Sequence, residues 1–517
     1  MTKTYDAIII GAGHNGLTAA AYLARAGQRV LVLERRDVIG GTVATEEPWP
    51  GVRVDTAHHF GALRPDIVRD LGLARFGIKT TRVGMTALNP NGDALTLTPE
   101  LAASQAAIAR FSASDAERWP SFVMLMEKVA GFLNDVYAAP FPRVPHVDAA
   151  EAPALAQLGL KLRGLGKRDM VEAVRVLPMS MLELLDEWFE HDLVRGLLAA
   201  RGVHGLRQGP MSAGTAFLFL HHWAMQDSLF PTRVHGGIGV LSEALWRAAA
   251  EAGAERRLGA EVAQVQLKGD RATGVVLANG EAIGAARVLS ALDPRRTFLK
   301  LVGPEALDPE FVWATQNIKL RGCVARVHLA LDGLPTFSGT SEAALRGALI
   351  LSPSLNALER AYDAAKYGRL SERPYLEVSL PTLTDPALAP AGKHLASIHL
   401  QYAPYPGQAD DGPEHILATT LAALAPIAPD LAGRILHSQV LTPSDLETRF
   451  GLTEGNLHHG EMMLDQILFM RPLAGWAQHR TPIQGLYLAG PGTHPGGGVG
   501  GASGRNAARQ VLADARR

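Results

Sequence analysis

Apolar positions near the start of the chain follow first a strand pattern and then a helix pattern. The apolar run Ala7–Ile10 leads into a glycine-rich turn, after which apolar residues recur at helical spacing as far as Gly27. A second run, Arg29–Leu33, follows directly. This order predicts a strand, a helix and a second strand, which together form the βαβ unit of a parallel sheet.

The middle of the chain has a helical period. Helices are predicted over Ser114–Tyr137, Leu155–Leu177 and Met179–Gly202, with the proline-rich linker Pro140–Pro153 between the first two. These segments predict a helix-rich insertion over roughly residues 100–225.

The uncharged aromatic segment Phe217–Met225 is also predicted to be helical. Three interpretations are open for this segment. It is a buried core helix, the wall of an apolar substrate tunnel, or a face that dips into a membrane.

Strict alternation replaces the helical period over Arg257–Leu292, which predicts a β-meander that ends in a buried strand, Val288–Leu292. Arg321–Leu331 and Arg373–Leu380 read as further strands. They indicate a second sheet, in a substrate domain.

The glycine-rich turn of the βαβ unit carries the spacing G-x-G-x-x-G at Gly11, Gly13 and Gly16. In this setting the glycines permit a tight turn, close approach of a pyrophosphate and close packing of helix on strand. Glu34 ends the second strand, where a carboxylate accepts hydrogen bonds from a ribose 2′-hydroxyl. The site is therefore expected to prefer FAD or NAD to NADP.

Two further glycine-rich segments favour FAD over NAD. The double glycine Gly40–Gly41 allows a second backbone segment to pass close to a cofactor. Near the C-terminus, a predicted strand, Leu486–Ala489, precedes a glycine-rich loop and a helix that is expected to start near Val499. A helix N-terminus around Gly498–Gly500 would stabilise the negative charge of a reduced flavin.

Four segments carry a resemblance to a known family: Gly11–Leu17, Leu33–Gly41, His235–Leu245 and Leu486–Gly498. They resemble the phytoene-desaturase-related FAD oxidoreductases. Within these, the chain is most similar to the branch of the flavin-type carotenoid ketolases and the pyridine nucleotide-disulfide oxidoreductase domain-containing proteins. The resemblance implies an α/β fold in which a Rossmann-like FAD-binding domain is interleaved with an α+β substrate domain, as in flavin amine oxidases and phytoene desaturases.

The positions of the cofactor motifs predict a discontinuous FAD-binding domain over 1–75, 230–300 and 450–517. The substrate domain is then expected over 76–229 and 301–449. The resemblance implies that Val262 contacts the adenine through its backbone. The full set of expected FAD-binding residues is Gly11, Gly13, His14, Asn15, Gly16, Glu34, Arg35, Gly40, Gly41, Thr42, Val262, Gly490, Gly497, Gly498 and Val499.

Histidines are the main candidates for acid–base chemistry, because the chain has 18 of them and only one cysteine, Cys323. His494 lies in the C-terminal cofactor loop and His59 follows the double glycine, so these two are predicted to be catalytic. His58, which precedes His59, and His221 and His222, in the apolar segment Phe217–Met225, are weaker candidates. No metal-ligand spacing or nucleophile motif is present, so no metal is expected.

The predicted reaction is hydride transfer from a substrate C–H bond to flavin N5 in a mostly apolar pocket. The expected substrate is a small molecule, either apolar (carotenoid- or isoprenoid-like) or amine-like. The alternatives are a flavoprotein with a binding or chaperone role and little turnover, and a non-redox NAD-binding module.

Composition and the start of the first strand limit the expected binding partners and the expected cellular location. The 50 basic residues nearly balance the 51 acidic ones, so a nucleic-acid partner is not expected. The first strand begins within a few residues of the start, which leaves no room for a secretory signal. A cytoplasmic enzyme is expected, with peripheral contact with a membrane as an alternative. The substrate, the electron acceptor and the oligomeric state stay open.

Overall fold

A computed structural model describes residues 4–144, 147, 149, 151–405 and 412–516. The helices are α1 (His14–Arg25), α2 (Pro65–Leu71), α3 (Leu101–Ala109), α4 (Ala113–Val136), α5 (Ala152–Gly164), α6 (Lys167–Val176), α7 (Met181–Asp186), α8 (Asp192–Val203), α9 (Thr215–Gln226), α10 (Gly239–Glu251), α11 (Pro309–Gln316), α12 (Glu342–Leu345), α13 (Leu355–Lys366), α14 (Pro413–Leu424), α15 (Pro443–Phe450) and α16 (Ala502–Asp514).

The strands of the described residues are β1 (Ala7–Ile10), β2 (Val30–Leu33), β3 (Thr45–Trp49), β4 (Val52–Asp55), β5 (Thr80–Arg82), β6 (Met85–Leu88), β7 (Ala94–Leu97), β8 (Thr232–Val234), β9 (Glu255–Arg257), β10 (Val262–Lys268), β11 (Arg271–Leu277), β12 (Ala282–Gly284), β13 (Val288–Ser290), β14 (Val324–Leu331), β15 (Ala348–Leu351), β16 (Leu376–Ser379), β17 (His394–Gln401), β18 (Ile435–Leu441) and β19 (Leu486–Leu488).

A five-stranded parallel sheet brings the two ends of the chain together, with the strand order β19-β13-β1-β2-β9. Successive residues of β1 face opposite sides, so Ile9 packs in the core with α1, α10 and α16, and Ile8 packs in the core with the β10–β12 meander. Both faces are therefore covered, which is why the strands are continuous apolar runs.

A second, seven-stranded sheet has the strand order β18-β14-β17-β16-β15-β6-β7. Only the β15–β6 pair is parallel. One face of this sheet is apolar. Val327, Val378 and Ile398 from that face share a core with Ile416 and Leu424 of α14.

The helical insertion contains more breaks than the sequence pattern predicted. The single helix expected over Leu155–Leu177 is two helices, α5 and α6, because Gly166 between them has a φ of +86°. The helix expected over Met179–Gly202 is also two, α7 and α8. The carboxylate of Asp115 accepts hydrogen bonds from the backbone N–H groups of Glu190 and His191 at 2.9 and 3.0 Å. These bonds provide partners for the backbone where the chain turns between α7 and α8.

The last strand of the predicted meander belongs to another sheet. The β10, β11 and β12 strands form an antiparallel sheet, but β13 pairs with β1 and β19 in the parallel sheet. The meander region thus adjoins the first βαβ unit, and the division into two domains stays a prediction. Among the described residues, no helix has the length and apolar character needed to cross a membrane.

Candidate cofactor cleft

A cleft of about 280 Å³ opens at the carboxyl ends of β1, β2 and β13, the position at which doubly wound sheets bind ligands. Gly11, Gly13 and Gly16 line it. A Cβ added at Gly16 would overlap the Gly11 carbonyl oxygen, so the helix can approach the strand only because residue 16 is glycine. A Cβ at Gly13 would meet nothing within 4 Å, and so there is open space in front of the N-terminus of α1.

The double glycine approaches this turn directly. The Gly40 N–H donates to the Ala12 carbonyl at 2.8 Å, and a Cβ at Gly41 would lie 3.3 Å from Gly13 Cα. Gly41 and Thr42 line the cleft, whereas Gly40 holds the approaching segment in place without lining it.

Glu34 lies at the rim of the cleft, as its position after β2 predicted. Its carboxylate accepts hydrogen bonds from the backbone N–H groups of Ala12 at 2.8 Å and Arg36 at 3.0 Å. These bonds fix the carboxylate beside the glycine turn. Arg35 also lines the cleft, and its guanidinium donates to the carbonyls of Thr448 and Arg449.

The C-terminal glycine loop closes the other end of the cleft. Gly498 lines the cleft, and its carbonyl lies 3.2 Å from Nε2 of His14 on α1. Burial lowers the pKa of His14 to about 4, so this imidazole is neutral at physiological pH. The helix after the loop begins at Ala502 instead of near Val499, because Gly501 in the left-handed region still belongs to the loop.

Most of the residues expected to bind FAD line this cleft: Gly11, Gly13, His14, Asn15, Gly16, Glu34, Arg35, Gly41, Thr42, Val262 and Gly498. Four others do not line it: Gly40, Gly490, Gly497 and Val499. Gly490 packs against the Ala291 backbone, and the Gly497 carbonyl accepts a hydrogen bond from His221 Nε2 at 2.7 Å. Gly490 and Gly497 therefore help to shape the loop without lining the cleft. Direct binding of FAD by any of these residues stays a prediction.

Sequence reasoning missed several groups that line the cleft. Arg296 and Lys300 reach it from the segment after β13, and His459 reaches it from the segment before Arg471. The buried atoms Arg36 Nη1 and Arg296 Nε have no hydrogen-bond partner within the described part of the chain. Because unpaired buried donors are costly, they fit an anionic group such as a pyrophosphate. The open space at Gly13 and these donors together suit FAD.

Arg471 holds the loop that ends the cleft. Its guanidinium is buried and donates only to backbone carbonyls, among them those of His458 at 2.6 Å and Pro491 at 2.8 Å. It thereby ties the 458–466 segment to the C-terminal loop. The sequence carries no local signal for this role, since the bonded carbonyls come from separate segments.

The two histidines predicted to be catalytic do not line the cleft. His494 is fully buried, and its Nε2 donates to the Val136 carbonyl at 3.1 Å while its ring packs against Tyr137 and Phe141. His59 lies beside His328, with ring centroids 5.8 Å apart. Both side chains contact residues of the predicted substrate domain, and a catalytic role for either stays a prediction. His58, the weaker candidate, does line the cleft.

The seven-stranded sheet has a second face whose character differs from that of its apolar face. The side of the seven-stranded sheet opposite its apolar face is buried and polar. We call it the polar sheet face, and it consists of Arg326, His328, Glu377, Ser379, Ser397, His399 and Gln401. Among the described residues, no group of three or more His, Cys, Asp or Glu side chains could hold a metal ion.

The fold and the cleft define a dinucleotide-binding oxidoreductase in which both ends of the chain build one cofactor site. Residues 16–512 match the family model for flavin containing amine oxidoreductases, and the chain belongs to this family. The protein is therefore an FAD-dependent oxidoreductase, and the predicted cofactor and fold class are confirmed.

Relatives with similarity over nearly the whole chain agree with the predicted resemblance. The chain is 36% identical to pyridine nucleotide-disulfide oxidoreductase domain-containing protein 2 of Rattus norvegicus, over 99% of this chain and 94% of that protein. It is 29% identical to a limonene dehydrogenase polypeptide of Castellaniella defragrans, over 99% and 95%. It is 25% identical to the lycopene-forming phytoene desaturase of a Paracoccus species, over 98% and 97%.

Solved structures share the fold at low sequence identity. The structure of putrescine oxidase with bound putrescine superposes with a TM-score of 0.62 at 18% identity, covering all of both chains. At this identity the likeness shows the architecture alone.

Proposed function

We propose that this oxidoreductase takes a hydride from a C–H bond of a lipophilic, isoprenoid-like small molecule. FAD, when bound, supplies the hydride acceptor at its N5 atom. The chain's own residues hold the cofactor, exclude water and orient the substrate.

One observation carries the lipophilic part of this proposal, a cavity of about 600 Å³ between α4 and α9. Its apolar lining includes Trp119, Val123, Trp223 and Phe230, and the charged residues Arg82, Glu127 and Asp227 lie at the same cavity. Such linings are typical of sites for apolar ligands.

The helix α9 also connects this cavity with the cofactor loop. Trp223 faces the cavity, while Met225 Cε lies 3.9 Å from the place where a Cβ at Gly498 would stand. Helix α9 therefore stands between the cavity and the loop that closes the cofactor cleft, and a substrate would have to extend past α9 to bring its C–H bond to the flavin. Burial of α9 up to Met225 supports the interpretation as a core helix, and the position of Trp223 at the cavity supports the interpretation as a tunnel wall.

The names of two relatives support an isoprenoid-like substrate. The limonene dehydrogenase polypeptide and the phytoene desaturase are named for isoprenoid hydrocarbons. An amine-like substrate is the second candidate, favoured by the description of the family. Peripheral contact with a membrane is part of the proposal, since a lipophilic substrate would partition there.

Anaerobic reduction of the bound flavin tests this function. The purified protein is mixed without oxygen with isoprenoid hydrocarbons, long-chain alcohols and primary amines in parallel, and the visible flavin band is followed. Bleaching by an isoprenoid but not by an amine supports the proposal. Bleaching by amines alone favours the second candidate. A stably bound flavin that no compound bleaches would favour the alternative of a binding or chaperone role.

A further inference from the structure

The polar sheet face is unusual because it is buried. Strands β14, β16 and β17 alternate between apolar residues on one side and polar residues on the other, a pattern that normally marks a face in water. Here Arg326, Glu377 and His399 are at most 2% exposed. Burying such groups costs free energy unless they are paired.

The sheet register places the charged members of this face in one row. Arg326 on β14 pairs with His399 on β17, which pairs with Glu377 on β16. His204, which follows α8, stacks on His399 with ring centroids 4.1 Å apart. Arg201 of α8 approaches Glu377 at 3.8 Å.

Several hydrogen-bond donors in this row have no acceptor among the described residues. Within the described part of the chain, Arg326 Nε and Nη1, Arg201 Nε and Tyr375 Oη have no hydrogen-bond partner. No described acidic group comes within 4 Å of the Arg326 guanidinium. Burial lowers the pKa of Arg326 to about 10, which still leaves it charged at neutral pH.

Three arginines, Arg201, Arg233 and Arg326, are buried in this region. The acidic groups around them are Glu377, Asp55 and Asp385. Arg233 already donates to Ser379 at 2.9 Å, and Glu377 is the nearest acid to Arg201. Arg326 feels the charge of Glu377 but makes no close ion pair with it, and its Nε and Nη1 have no hydrogen-bond partner within the described part of the chain.

A chain of histidine rings links the row to the cofactor loop. The ring of His204 lies 5.9 Å from that of His222, which lies 6.2 Å from that of His458. The His458 ring occupies the place where a side chain at Gly497 would stand. Burial lowers the pKa of these histidines, so they are neutral and add no positive charge.

We infer that the polar sheet face binds the anionic end of the substrate, a carboxylate or a phosphate ester, with Arg326 as its principal partner and Arg201 and Tyr375 beside it. This rests on the proposed function, in which the oxidised C–H bond lies near the flavin, and deepens it by adding an acidic group to a lipophilic substrate. A buried guanidinium with unpartnered N–H donors suits an oxyanion in charge and in hydrogen-bonding capacity. The same charge would repel a cationic amine.

Four aromatic probes of similar size test the inference on the holoprotein: benzoate, phenyl phosphate, benzamide and benzylamine. Binding is measured by the change in the flavin absorption spectrum and, independently, by the shift in the thermal unfolding temperature. Benzoate or phenyl phosphate is expected to bind at least about ten-fold more tightly than benzamide, with benzylamine weakest. Whichever anion binds more tightly identifies the substrate's acidic group.

Variants of Arg326 test whether this side chain causes the preference for anions. Arg326→Gln should weaken anion binding by about ten-fold or more without changing benzamide binding, and Arg326→Lys should restore part of it. The control is Arg434→Gln, a partly exposed arginine that precedes β18 of the same sheet and pairs with Asp430, and it should leave anion binding unchanged.

Equal binding of benzoate and benzamide by the wild-type protein would overturn the inference, even if Arg326→Gln failed to fold. Unchanged anion affinity in Arg326→Gln would overturn it as well. Because these titrations need no turnover, they are independent of the bleaching experiment that tests the proposed function.

Discussion

Replacing Gly13 by valine should abolish flavin binding and leave the fold intact. Gly13 has φ −66° and ψ 164°, an extended conformation that valine adopts readily. A Cβ there would meet nothing within 4 Å. The free energy of unfolding of the apoprotein should therefore change by no more than about 1 kcal/mol.

The cost for the cofactor follows from where the valine methyl groups would lie. They would occupy the space in front of the N-terminus of α1, where free backbone N–H groups are available to a pyrophosphate. Losing two charge-assisted hydrogen bonds, each contributing about 1.5–3 kcal/mol, removes about 3–6 kcal/mol of binding free energy. This corresponds to a roughly 100- to 10,000-fold weaker affinity for FAD.

The assay is the flavin-to-protein ratio after purification, together with urea unfolding of both apoproteins. The comparison variant is Gly16→Ala, whose Cβ would overlap the Gly11 carbonyl oxygen. That variant should lose stability by about 1–3 kcal/mol as well as flavin. Wild-type flavin content in Gly13→Val, or unfolding of its apoprotein, would refute the reasoning.

Three further predictions concern buried polar groups around the cleft. Arg471→Met should cost at least about 3 kcal/mol of stability in urea unfolding, because it leaves several buried carbonyls unpaired, and unchanged stability would contradict this role. His494→Ala should lower the unfolding free energy by about 1–3 kcal/mol and leave the rate of anaerobic flavin reduction unchanged, whereas a slower reduction at unchanged stability would restore the catalytic role that the sequence suggested. Burial raises the pKa of the Asp55 carboxyl to about 6, so the folded state binds the carboxyl proton more tightly than the unfolded state does. The contribution of Asp55 to the free energy of unfolding therefore falls as the pH rises from the unfolded pKa toward the folded pKa. Relative to Asp55→Asn, the free energy of unfolding of the wild-type protein should fall by about 1 kcal/mol between about pH 5 and about pH 7. A difference between the two urea midpoints that does not change with pH would disprove the raised pKa.

The cofactor site was predictable because its signals are local. The turn at Gly11–Gly16, the acid at Glu34 and the double glycine Gly40–Gly41 lie within one short βαβ region, where sequence spacing fixes spatial placement. The second loop was found because glycine between a strand and a helix is also a local signal. Its edges were less certain, and α16 begins at Ala502, three residues later than expected.

The remaining cleft residues depend on tertiary folding. Arg296, Lys300 and His459 come from segments far apart in the chain, and nothing in their immediate sequence marks them. The helix breaks at Gly166 and before His191 were missed because the apolar period continues across both.

The polar sheet face shows a different limit of sequence reading. In β14, alternation of apolar residues with Arg326 and His328 predicts a half-buried strand with one face in water. In the fold, helix α8 and the segment after it cover that face, as the bonds from Gln401 Nε2 to the Val203 and Leu206 carbonyls show. A period of two cannot distinguish a polar face in water from a polar face that the fold buries.

The central claim is that the two ends of the chain form one FAD site, and extraction of the cofactor from the purified protein tests it most directly. The released flavin is identified by chromatography and quantified against protein, before and after reconstitution of the apoprotein with FAD, FMN or NADP. We expect one FAD per chain, uptake of FAD alone, and loss of that uptake in Gly13→Val. A protein that contains no flavin and takes up none, or that binds FAD equally well with valine at position 13, would contradict the account.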